Sequence, residues 1–146
     1  MEFRLLNDAV AQGNVDALFN SDVYSQVGVE NNISRYLEKD PVPKYLRNPF
    51  FNGGGIVSAK LPAEKANKIR QALEKAIAFI KENPVEARKT MLKYLPFGQG
   101  VVLNAPIDEF YPLSELNGTD AQAVADLLYE NKAITARVNA SQMFYR

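Results

Sequence analysis

The clearest periodicity in the chain is an apolar stripe at Ala66, Ile69, Leu73, Ala76, Ile77 and Ile80, spaced three or four apart behind Pro62. That spacing predicts an amphipathic helix over 62–82 with proline near its first turn, where a missing N–H costs nothing. Asn83-Pro84 ends it, because proline disfavours the α conformation in the residue before it. The same pair can start a second helix over 84–95, with Asn83 as cap and Ala87, Met91 and Leu92 on its buried side. Thr119-Asp120-Ala121-Gln122 fits a capping box and predicts a third helix over 119–131 with Val124, Ala125, Leu127 and Leu128 as its apolar face. Near the start, Leu5 to Gln12 reads as a short helix stopped by Gly13, and Asn31 to Lys39 carries a thinner helical pattern.

Two stretches read differently. Val15 to Phe19 is mostly apolar without alternation, which predicts a strand covered on both faces, as in parallel α/β sheets. Gly54 to Lys60 carries Ile56 and Val57 after a glycine run and divides evenly between strand and loop. Segment breaks fall at Asp40-Pro41-Val42-Pro43, at Asn48-Pro49, at Asn52-Gly53-Gly54-Gly55 and from Pro96 to Gly100. The expected fold class is therefore α/β, rich in helix towards the C-terminal end.

Length and composition narrow the functions open to such a chain. Its 146 residues hold one core and hardly two. Seventeen basic residues balance seventeen acidic ones, which argues against nucleic acid or an anionic membrane as partner. Histidine and cysteine are both absent, so the chain offers no thiolate nucleophile, no imidazole base, no Cys/His metal cage and no disulfide. We therefore expect no catalysis and no cofactor. Met1 to Leu6 lacks a signal-peptide pattern, and no run approaches the ~20 apolar residues of a membrane helix, so neither export nor anchoring is expected of the sequence as it stands.

Several constellations invite chemistry and have plainer explanations. Gly53-Gly54-Gly55 lacks the Gly-Lys-Ser/Thr ending of a phosphate loop, and a hinge or close backbone approach accounts for it better. Asp108-Glu109 and Asp120 stand where acidic residues complement helix starts. Lys60, Lys65, Lys68, Arg70 and Lys75, interrupted by Glu64 and Glu74, read as a solvated face. Asn20, Ser21 and Asp22 are the stronger candidates. They leave the carboxyl end of the expected strand together, where open α/β sheets place ligands, and Asp22 can pair with an ammonium or accept from hydroxyls. An Asx-turn that reverses the chain explains Asp22 equally well.

The order of these segments resembles a known family. Leu6-Asn7-Asp8-Ala9-Val10-Ala11-Gln12-Gly13-Asn14-Val15-Asp16-Ala17-Leu18-Phe19 through Asp22 is similar to the "helix, Gly-x-Val-Asp-Ala, strand, Trp-Asp/Glu-Pro" stretch of ABC-transporter substrate-binding proteins of the sulfonate, taurine and nitrate type. Lys75-Ala76-Ile77-Ala78-Phe79-Ile80-Lys81-Glu82-Asn83-Pro84-Val85-Glu86-Ala87 is similar to that family's C-terminal helix pair, and Ala125-Asp126-Leu127-Leu128 through Tyr145 to its closing helix and tail. The resemblance covers the C-terminal half of a family member.

It implies a partial type II periplasmic-binding fold with few parallel strands and three or four helices. Residues 1–22 would be the remnant of one lobe, ending at a hinge strand, and 23–146 the C-terminal part of the other. A small anionic or zwitterionic solute (a sulfonate, nitrate, an amine or a pyrimidine) would sit in the cleft on Asp22, Ser21 and Asn20, with an ABC permease as partner and a periplasmic or lipoprotein location. Ser21 and Val23 replace the family's usual tryptophan and proline. A thiamine-pyrimidine synthase branch of similar fold uses a histidine of its own chain, which is absent here. The alternative is a non-catalytic interaction module without a small ligand. Because half-folds expose apolar surface, we expect self-association, or pairing with a complementing N-terminal half.

Overall fold

The computed structural model describes residues 2–51 and 53–144; Met1, Asn52 and Tyr145, which entered the sequence reading, lie outside them. Every regular element among the described residues is a helix: α1 (Phe3–Ala11), α2 (Asp22–Glu30), α3 (Pro41–Tyr45), α4 (Ala63–Glu82), α5 (Pro84–Met91), α6 (Gln99–Asn104) and α7 (Gly118–Glu130), with 3-10 turns at Leu113–Glu115 and Ala140–Gln142. The α/β expectation, and with it the binding-protein fold built on parallel strands, is overturned. Val15 to Phe19 forms no strand, and Val15 and Phe19 are exposed. A short apolar run becomes a buried strand only where neighbouring strands take its N–H and C=O groups. Gly54 to Lys60 likewise holds no strand. The hinge strand expected to end at residue 22 gives way to the start of α2.

The chain divides into two compact units, residues 1–39 with 78–109 and residues 40–77 with 110–146. In the first unit α1 packs on α2, α2 on α6 and α5 on α6. Gly13, at φ +69°, ends α1 as expected, with its N–H on the Val10 carbonyl and that of Asn14 on Ala9. Asn32, at φ 55°, stops α2, and this is why the Asn31 to Lys39 pattern forms no helix. Gly28 lets α2 approach α1: a Cβ there would lie 2.5 Å from Ser34 Oγ and 2.7 Å from Asn7 Oδ1. Buried Asn7 donates to the Tyr24 carbonyl at 2.8 Å. Arg88 of α5 donates to the Val102 and Ala105 carbonyls at the end of α6, tying the two helices.

In the second unit Asp120, in the first turn of α7, accepts from Arg47 Nη2 at 3.0 Å. The cap of α7 is Asn117, whose side chain accepts from Thr119 N at 2.9 Å, so the expected Thr119–Gln122 capping box does not form. Gln122 instead holds the following segment, donating to the Val138 carbonyl at 2.9 Å and accepting from Ala140 N at 3.0 Å. A Cβ at Gly55 would lie at ordinary contact distance, 3.5 Å, from Leu73 Cδ1 of α4, and one at Gly53 or Gly54 would meet nothing within 4 Å, so the close backbone approach anticipated for the glycine run is not found.

Among the described residues the buried apolar ones are small: Ala9, Ala66, Ala87, Val101, Val102, Ala105, Val124 and Ala140, and the largest side chain fully enclosed is that of Val102. Large apolar side chains lie outside, with Ile56 95% and Leu37 91% exposed. The accessible surface is 10990 Å². Two separate compact units of half the mass each would expose only about 9,000 Å² together.

Candidate functional site

Asn20, Ser21 and Asp22 form the entry to α2. Ser21 is its N-cap in extended conformation and Asp22 its first residue, a placement that favours negative charge at the helix start. Asn20 is used locally: its Oδ1 accepts from Ser21 N at 2.9 Å and its Nδ2 donates to the Phe3 carbonyl at 3.2 Å. The three remain neighbours, on a coil-to-helix junction and not at a strand end.

Asp22 opens on a polar chain along one side of α2. Burial, and then the negative charge of Asp22, push the Tyr36 phenol above its ordinary value, because both disfavour the phenolate. The Tyr36 hydroxyl donates to Gln26 Oε1 at 3.1 Å, and Gln26, buried, passes its Nε2 hydrogen to Glu30 Oε1 at 3.0 Å. Asn104, at the last turn of α6, donates to the same Glu30 oxygen at 2.9 Å. Gln26 is thereby satisfied from both ends, which removes the penalty of burying its amide.

Glu30 stands at the rim of an open cleft of about 420 Å³ lined by Val27, Glu30, Asn31, Pro96–Gly98, Gly100 and Val101. Phe97 is held edge-on to Tyr24, ring centroids 5.5 Å apart and planes at 88°. Of these residues the sequence analysis singles out Asp22, which does not line the cleft, and it names none of Gln26, Glu30, Tyr36, Phe97 and Asn104. One signal was present: 22, 26 and 30 are successive i, i+4 positions and share a helix face once α2 is recognised.

Asp120 pairs with Arg47 at the start of α7, whereas Asp108 and Glu109 lie in the coil between α6 and the 3-10 turn at Leu113–Glu115 and not at a helix start. Gly53–Gly55 precedes no helix start, α4 beginning at Ala63. Among the described residues no group of three or more acidic, histidine or cysteine side chains is placed to hold a metal ion, and no helix is long and apolar enough to cross a membrane. The class these features define is a helical chain with a small-residue core, an exposed apolar surface and a polar-rimmed cleft among the described residues. Comparison with family models, with curated proteins and with solved structures found no match.

Proposed function

We propose that this chain is a non-catalytic interaction module whose apolar surface is completed by another protein chain, in the first instance a second copy of itself. The observation that carries this is the surface. The 10990 Å² exposed exceeds that of two compact units by about 2,000 Å² per chain, so two copies covering it would bury about 4,000 Å² in total, within the range of obligate homodimers. Exposed apolar side chains are spread along it, among them Phe19, Leu37, Leu46, Ile56, Leu73 and Phe79. Size-exclusion chromatography with light scattering tests it. A dimer or larger assembly that dissociates on dilution supports the reading; a cooperatively folded monomer at high concentration overturns it.

A second reading is solute binding as a component of an ABC importer, without the strand-built clamshell. It is supported by helices at Ala63–Glu82, Pro84–Met91 and Gly118–Glu130, over residues similar to that family's C-terminal helix pair and closing helix. Thermal-shift screening with sulfonates, nitrate, bicarbonate, amines and pyrimidines separates the two, since a solute bound only by the folded chain raises its melting temperature.

A further inference from the structure

The cleft of the first unit is chemically one-sided. Among the described residues that line it, Glu30 alone carries a charge, and Val27, Pro96, Phe97 and Val101 supply apolar walls. We propose that this cleft binds an organic ammonium ion, a protonated amine with an apolar body, with Glu30 as its counter-ion. The inference depends on neither reading of function above, because a docking chain and an importer component can each hold such a ligand.

The carboxylate is oriented before any ligand arrives. Gln26 and Asn104 both donate to Oε1, and Gln26 is itself fixed by the Tyr36 hydroxyl. That arrangement turns Oε2 towards Gly100, where a Cβ would come within 2.7 Å of it. Glycine at position 100 lets the carboxylate seat itself against the start of α6, Oε2 taking the space that a side chain there would need. Glu30 is solvent-exposed, so a ligand can reach it. Phe97, set by its contact with Tyr24, adds an aromatic ring, whose face attracts cations. At about 420 Å³ the cleft falls in the size range of small-molecule sites. A carboxylate repels anions, and a neutral analogue forfeits the charge-assisted hydrogen bond. The rival explanation of Glu30 is that it merely complements the start of α6 beside it. That role affects stability and selects no ligand.

The test titrates the folded chain at constant ionic strength with 2-phenylethylammonium, 2-phenylethanol and 3-phenylpropanoate, followed by NMR shifts or calorimetry. The proposal expects saturable binding of the ammonium probe and much weaker binding of the other two. Glu30→Gln, which keeps the size and an acceptor for Gln26 and Asn104, should weaken the ammonium probe roughly tenfold. Phe97→Leu should weaken it several-fold. No saturable binding to folded wild-type protein, equal binding of all three probes, or unchanged affinity in a folded Glu30→Gln variant would overturn it. The comparison of probes is made on wild-type protein, so the test stands even where a variant does not fold.

Discussion

Gly28 shows how one residue sets the distance between two helices. Alanine in a helix interior ordinarily gains about 1 kcal/mol over glycine. Here the added Cβ would meet Ser34 Oγ at 2.5 Å and Asn7 Oδ1 at 2.7 Å. Neither neighbour retreats freely: the Ser34 and Ile33 N–H groups both bond the Gly28 carbonyl, and Asn7 is anchored on the Tyr24 carbonyl. Gly28→Ala should therefore destabilise by about 1–2 kcal/mol net, overpacking outweighing propensity. Urea denaturation checks it, and removal of the hydroxyl in Gly28→Ala/Ser34→Ala should recover part of the loss. Tyr36 gives a second prediction at this scale. Its folded-state pKa is raised above the ordinary 10.0, so the folded chain favours the protonated phenol more than the unfolded chain does. Its contribution is fully present below pH 10.0 and is lost as pH rises through the folded-state value. Stability should fall over that alkaline window, and Tyr36→Phe should flatten the slope there; an unchanged slope would show that Tyr36 does not carry it.

At the scale of elements, α7 and the segment after it depend on two side chains. Asn117 caps the helix through Thr119 N, and Asn117→Ala should cost about 1 kcal/mol in thermal or denaturant unfolding. Gln122 ties the later segment to α7 through Val138 and Ala140. Gln122→Ala should speed hydrogen exchange at the Ala140 amide markedly while leaving the central α7 amides near their wild-type rates, since local opening then needs fewer bonds broken. The same elements show what was legible in the sequence. The stripe from Ala66 to Ile80 and the Asn83-Pro84 break locate α4 and α5, because a 3.6-residue period sustained over about four turns has no competing explanation. The second of these helices ends at Met91 and not near residue 95, where turns take over. Val15 to Phe19 does not form the expected strand, since four apolar residues around Asp16 fit a strand or an unpaired run equally well until their neighbours are known. The helix α2 escaped notice because Val23, Val27, Val29 and Gly28 are poor helix formers, and its stability comes from packing on α1 and α6. With α2 hidden, the alignment of Asp22, Gln26 and Glu30 was hidden too, so the polar chain became visible only in three dimensions.

On the scale of the whole molecule, the exposed and enclosed apolar residues make opposite predictions. Val102 is 1% exposed, so Val102→Ala removes buried methylene-sized groups and should lower stability by about 2 kcal/mol, with no direct effect on association. Leu37 and Ile56 are almost fully exposed, so Leu37→Asn and Ile56→Asn should leave the isolated chain within about 0.5 kcal/mol of wild type. If those side chains are covered in an assembly, the same substitutions should weaken it and reduce the rise of melting temperature with protein concentration that coupled association produces. The discriminating measurement is thus a melting series across concentration for wild type, Val102→Ala and the Leu37→Asn/Ile56→Asn pair. Interaction through the apolar surface predicts that Val102→Ala shifts the whole series downward with its slope kept, while the paired variant flattens the slope and converges on wild type at low concentration. A flat wild-type series from a folded chain would overturn the reading, because the exposed apolar surface would then be left uncovered by further copies.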